Sequence, residues 1–236
     1  MSIRAFFIIL VAMMKKIVRL FQIIYCIYAL CIFACLTIIS LFAMIFILPM
    51  GYRYLTIGIY KIGRYFSKTL YLFIGMRHQE IYEGIHHFDK AHVFVGNHNS
   101  YMDIPPIVQL KHQPIKPLGK FESSKIPLFG LFYRHIVIMV DRSNPEKRAQ
   151  SLQNLKEALK QKISIFIFPE GTFSMTEEKP LKDFYNGAFK LAIEMQVPIQ
   201  PVLMVDAVDR MHFSGIFTLS PGICRVVYLP TVYVDN

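Results

Sequence analysis

The sequence predicts an α/β fold, a mainly parallel sheet flanked by helices, carried on an N-terminal membrane-embedded helix pair. Three observations predict it. Beyond residue 80, short apolar runs alternate with helical stretches, the pattern of strands joined by helical crossovers. Leu20 through Tyr52 form 33 consecutive residues without a charge, where about 20 suffice to span a bilayer. The first acidic residue is Glu80, and nine basic residues precede it.

The N-terminal part comes first. A long apolar helix is expected over about 17–50, closed by Pro49 and Gly51. A second, amphipathic stretch runs from Tyr52 to Ile74, with Arg53, Lys61, Arg64 and Lys68 among aromatic and branched residues. Its charge density suits an interfacial helix better than a central span. Positive charge flanks the long run on both sides, so it sets no orientation. A pair that dips into one leaflet and returns fits these facts, and so does a single span. Lys15, Lys16 and Arg19 stand where a cleavable leader would need small residues. The boundary is placed near residue 78, giving anchoring helices over 1–77 and a catalytic domain over 78–236.

Charge narrows the partners. After residue 79 there are 17 basic and 16 acidic residues, so almost all of the net +10 belongs to the N-terminal segment. A nucleic-acid binder would carry its basic face on the folded domain. Basic residues beside apolar helices fit anionic lipid headgroups. Cys26, Cys31 and Cys35 lie in the apolar run and Cys224 far away, which is neither a disulfide framework nor a zinc spacing.

In the second part, strands are expected at Ala91–Gly96, Ile115–Gly119, His135–Asp141, Ile163–Phe168, Ile199–Val205 and Ile223–Val234, the last bent at Pro230. One helix runs from Pro145 to about Gln161, capped by Asn144, with Ala149, Leu152, Leu155 and Leu159 as its apolar stripe. Another covers about Asn186–Met195, and shorter ones follow Asp103 and Ser123.

Two segments can carry chemistry. Gly96-Asn97-His98-Asn99-Ser100-Tyr101-Met102-Asp103 follows a buried strand, where parallel sheets place ligands. An imidazole there takes a proton from a hydroxyl near neutral pH if a partner holds its other nitrogen. Asp103 can be that partner if the chain bends, because five helical residues would set the two about 140° apart. Asp103 also stands where it would cap a helix begun by Pro105 and Pro106. Ser100 lacks the G-x-S-x-G elbow of a covalent nucleophile. The second segment is Phe166-Ile167-Phe168-Pro169-Glu170-Gly171-Thr172. Its turn can present N–H groups to an anion, or it is an ordinary turn with a solvated glutamate.

Asn97-His98-x4-Asp103, followed about 70 residues later by Phe168-Pro169-Glu170-Gly171-Thr172, resembles the glycerophospholipid acyltransferase family. Gly119-Lys120-Phe121-Glu122 with Ile126-Pro127-Leu128-Phe129-Gly130 and Val140-Asp141-Arg142 resembles its second block. Val197-Pro198-Ile199-Gln200-Pro201-Val202 resembles its fourth. The resemblance implies the family's fold, with His98 as catalytic base and Asp103 as its orienting carboxylate. It implies that Lys120 and Arg142 hold the acceptor's phosphate and that Glu170, Gly171 and Thr172 shape the acceptor site. The implied donor is acyl-CoA or acyl carrier protein, the acceptor a lysophospholipid, with no metal or prosthetic group. The implied location is the cytoplasmic face of a membrane. The leading acceptor is 1-acylglycerol-3-phosphate, which would become phosphatidic acid. Another lysolipid, such as an amino-acid lipid or glycolipid precursor, stays open, and so does a non-catalytic lipid-binding membrane protein. The family often has an arginine where Phe173 stands and a lysine at Tyr185, while Lys182 is a cation nearby. Those two departures bear on the acceptor and leave the proton chemistry untouched.

Overall fold

The computed structural model describes residues 3–49, 52–110, 114–141, 143–173 and 181–234. Two antiparallel-running helices lead the chain, α1 (Ile3–Ile47) and α2 (Tyr52–Phe73). The first begins some 14 residues earlier than the apolar run suggested. Lys15, Lys16 and Arg19 interrupt the hydropathy but not the helix, since Lys and Arg are good helix formers and all three point outward. At 45 residues α1 is about 68 Å long. Among the described residues it alone is long and apolar enough to cross a bilayer, and only 17% of its most apolar window is buried.

A seven-stranded sheet follows, ordered β1-β7-β6-β2-β5-β3-β4. Its strands are β1 (Met76–Tyr82), β2 (Val93–Gly96), β3 (Ile115–Lys120), β4 (Ile138–Val140), β5 (Ser164–Ile167), β6 (Ile199–Met204) and β7 (Gly222–Tyr228). Strands β2 to β6 are parallel to one another, while β7 runs antiparallel to β6 and parallel to β1. The parallel strands are joined by α3 (Ile104–Ile107), α4 (Phe129–Ile136), α5 (Pro145–Lys160) and α6 (Gly187–Met195). A short α7 (Ala207–Arg210) leads into β7.

The alternation along each strand sorts the core onto two faces. Phe94 of β2 and Phe166 of β5 point to a cluster shared with Cys26, Ala29, Leu70, Tyr71 and Ile74 of the helix pair. Val93, Val95, Ile165 and Ile167 point to the other face, under Leu155 and Leu159 of α5 and Leu191 of α6. Asn144 caps α5 as expected, its Oδ1 accepting from Lys147 N at 3.0 Å, and Pro145 takes the first position.

Three strand expectations change. β1 was missed because its inward residues after Met76 are His78 and Glu80, so the alternation has no apolar signature; inward charge is a common feature of edge strands. His135 and Ile136 end α4 rather than open β4. β7 stops at Tyr228, and past Pro230 only Val232 bridges back, to Ile199.

Candidate active site

Both segments singled out by sequence open at the carboxyl ends of adjacent parallel strands, β2 and β5. Gly96 closes β2 because a Cβ there would lie 2.8 Å from the Phe166 ring. Next, the Asn97 amide exchanges two hydrogen bonds with Met204, accepting from its N at 2.7 Å and donating to its O at 3.2 Å. That ties the loop to the end of β6.

The chain then bends through Asn99 and Ser100 into a 3-10 turn, Tyr101–Asp103. The bend brings the dyad together: His98 Nδ1 donates to Asp103 Oδ2 at 3.0 Å. The same oxygen accepts from Asn99 N and Ser100 N, each at 2.8 Å. Ser100 Oγ accepts from Met102 N and donates to the Met211 carbonyl, so its hydroxyl is spent on structure. Asp103 makes no side-chain cap on α3; it turns back and closes a capping box with Ser100. Of the two roles open to Asp103, the geometry takes the first.

Asp103 is fully buried. That burial pushes its carboxyl up, against the downward pull of the bonds from His98, Ser100 and Asn99. An acceptor on Nδ1 fixes the tautomer, so the ring's free lone pair sits on Nε2. The ring itself is held by aromatics. Phe168 stacks on His98 with centroids 3.8 Å apart and planes 10° apart, Phe173 meets it edge-on at 4.4 Å, and Tyr101 packs edge-on against Phe173 at 4.8 Å. The sequence assigned no role to Phe168 or Tyr101, although both lie inside the two segments singled out.

Glu170 is not the solvated glutamate of an ordinary turn. It is 2% exposed. Its Oε1 accepts from His98 N at 2.8 Å and its Oε2 from Lys182 N at 2.9 Å. One carboxylate therefore binds the backbone of the His98 loop and that of residue 182. Gly171 takes φ +74°, a conformation that favours glycine, and its N–H turns back to the Phe168 carbonyl. Thr172 is half-buried beside it.

Lys120 is exposed at the carboxyl end of β3, on the same sheet edge and separated from β2 by β5. Arg142 lies outside the described residues. Phe173, where a family arginine was expected, packs on the imidazole, and Tyr185 is exposed with its N–H on the Pro169 carbonyl. Among the described residues no group of three His, Cys, Asp or Glu could hold a metal.

A mainly parallel sheet sets an oriented imidazole at its carboxyl edge, with a carboxylate buried behind it. The chain belongs to the acyltransferase family, whose profile matches residues 78–205. It is 29% identical over 157 residues to mouse 1-acyl-sn-glycerol-3-phosphate acyltransferase alpha, covering 65% of this chain and 54% of that protein. It is 31% identical over 163 residues to the 1-acyl-sn-glycerol-3-phosphate acyltransferase of Limnanthes douglasii, covering 65% and 54%. The Salmonella typhimurium enzyme of the same name is 31% identical over 146 residues, covering 61% and 58%. The chain thus spans little more than half the length of these curated relatives. The crystal structure of PlsC, the 1-acyl-sn-glycerophosphate acyltransferase of Thermotoga maritima, shares the fold. Its TM-score is 0.69 at 22% identity, over 93% of this chain and 88% of that one.

Proposed function

We propose that this chain transfers a fatty-acyl group from an acyl thioester, acyl-CoA or acyl carrier protein, to the free hydroxyl of a lysophospholipid. The acceptor is 1-acylglycerol-3-phosphate and the product phosphatidic acid. The observation that carries this reading is the buried Asp103 carboxylate on Nδ1 of His98, which leaves Nε2 as base at the sheet edge. The relatives' names supply the substrate class.

In this scheme Nε2 takes the hydroxyl proton as the acceptor oxygen attacks the thioester carbonyl. The tetrahedral intermediate collapses, the carbon–sulfur bond breaks, and the departing thiolate receives that proton from Nε2. Asp103 stabilises the imidazolium between the two steps. Phe168 and Phe173 keep the ring in one plane and exclude water. Lys120 and Arg142 are the proposed phosphate cations, joined by Lys182, whose backbone shares Glu170 with His98. Gly171 and Thr172 shape the acceptor side. Chemistry needs no metal or prosthetic group here. The apolar, largely uncovered α1 anchors the chain in a membrane, with the sheet domain (78–236) on the cytoplasmic face.

A second acceptor, another lysolipid with less phosphate charge, is favoured by one observation: Phe173 and Tyr185 stand where cations were expected. The test is a vesicle assay with labelled acyl-CoA or acyl carrier protein and a panel of acceptors. Highest kcat/KM on 1-acylglycerol-3-phosphate supports the first reading, and preference for a neutral or amino-acid lysolipid the second. No transfer to any lysolipid, where a relative works, sinks both.

A further inference from the structure

Behind the dyad, the helix pair supplies a residue that no motif marks. Ser67 of α2 donates to the Pro105 carbonyl at 2.7 Å and accepts from Gln109 Nε2 at 2.8 Å. This face of α2 is therefore fastened to the chain just after Asp103. Four residues along a helix return to the same face, and the residue there is Tyr71. Its side chain is 2% exposed, in one cluster with Met102 and Cys224.

The Tyr71 hydroxyl is buried without a well-formed hydrogen bond, its neighbour being the weakly accepting Cys224 thiol. Among the described residues Asp103 Oδ1 is buried without a partner too, whereas Oδ2 has three. Tyr71 feels the charge of Asp103, and so does Cys224. One orphaned donor thus lies in the cluster that holds Met102, the chain neighbour of the orphaned acceptor Asp103, and native interiors rarely leave either unmet.

We infer that the Tyr71 hydroxyl donates to Oδ1 of Asp103, directly or through one bridging water, and is a positioning residue for the dyad. The role rests on the reading of His98 as base. Burial pushes the Tyr71 phenol far up, so it stays a neutral donor at working pH. A donor on Oδ1 favours the ionised carboxylate and offsets part of its desolvation. The other titratable groups around Asp103 are His98 and Cys224, with Arg210 and Asp206 acting on Cys224 in turn. The membrane helix pair would then hold the base as well as the bilayer.

The test uses the full chain in vesicles and the Tyr71→Phe variant. The first readout needs no substrate: the pH dependence of diethyl pyrocarbonate modification at His98, read by peptide mass spectrometry. Without the Tyr71 donor the dyad becomes more basic, so the midpoint moves up by about half a pH unit. In transfer assays kcat falls about tenfold with KM unchanged, and the acid limb of the pH–rate profile moves up in parallel. Cys224→Ala leaves both near wild type. An unchanged His98 midpoint in folded Tyr71→Phe overturns the inference. A chain inactive on every lysolipid still answers through the first readout, which separates failure of this inference from failure of the proposed function. Should Tyr71→Phe not fold, biosynthetic 3-fluorotyrosine makes the phenol a stronger donor and must move the midpoint down; no movement overturns it.

Discussion

The loop after β2 and the loop after β5 each bury one carboxylate, and both carboxylates hold His98. Asp103 grips the imidazole through Nδ1, while Glu170 grips the backbone N–H of the same residue. One sets the chemistry of the ring and the other sets where the ring stands. The base role proposed for His98 needs both, because orientation without placement leaves Nε2 out of reach.

Replacements at the two carboxylates should therefore part ways. Asp103→Asn replaces the charged acceptor with an amide and removes the negative partner of the imidazolium. Steady-state kinetics should show kcat down by roughly 10²–10⁴ with KM little changed. Glu170→Gln offers one acceptor oxygen to two N–H groups, leaving one buried donor unmet. A denaturant melt should show a loss of about 1–3 kcal/mol, with a fall in rate well short of that in Asp103→Asn. If Glu170→Gln instead matched Asp103→Asn in kcat at full stability, the contrast would break.

Phe173 sharpens it from the ligand side. Phe173→Arg puts a cation beside His98, and kcat/KM for a phosphate-bearing acceptor relative to a neutral lysolipid should rise about tenfold. An unchanged ratio would place the phosphate away from this edge of the ring.

The smallest effect is one of pH. Burial holds Asp103 above the ordinary carboxylate range, so its term in stability is fully present at low pH and is lost as pH rises through its folded value. Asp206 has the opposite sign: the Arg225 hydrogen bond holds it low, and its stabilisation exists above the unfolded value, about 3.9, and fades as pH falls through the folded one. Acid melts of Asp206→Asn should be flatter than wild type and those of Asp103→Asn steeper. Identical slopes would contradict these directions.

Six of the seven strands and both principal helices of the sheet domain were legible, because the parallel strands buried on both faces read as apolar runs and α5 carries its stripe and cap in plain order. β1 was not, since its inward side chains are His78 and Glu80. The start of α1 was hidden because hydropathy marks where lipid or core is met, whereas the helix continues through Lys15 and Lys16. At the site, the sequence offered Asp103 both as a helix cap and as a partner for the imidazole and could not choose; the bend at Asn99 and Ser100 brings its carboxylate to His98 Nδ1. Glu170 was read by resemblance as part of the acceptor site, yet its carboxylate faces inward, and only the fold brings the His98 and Lys182 N–H groups to it. Tyr71 carried no sequence signal, being one of several tyrosines in an amphipathic helix.

The central claim is that His98 is the base. Its most direct test is kcat for transfer to 1-acylglycerol-3-phosphate by vesicle-reconstituted wild type and His98→Ala, with membrane recovery and melting temperature measured alongside. The account predicts a fall of about 10³-fold with both controls unchanged. Turnover by His98→Ala near the wild-type rate would remove His98 from the mechanism and with it the reason for both buried carboxylates.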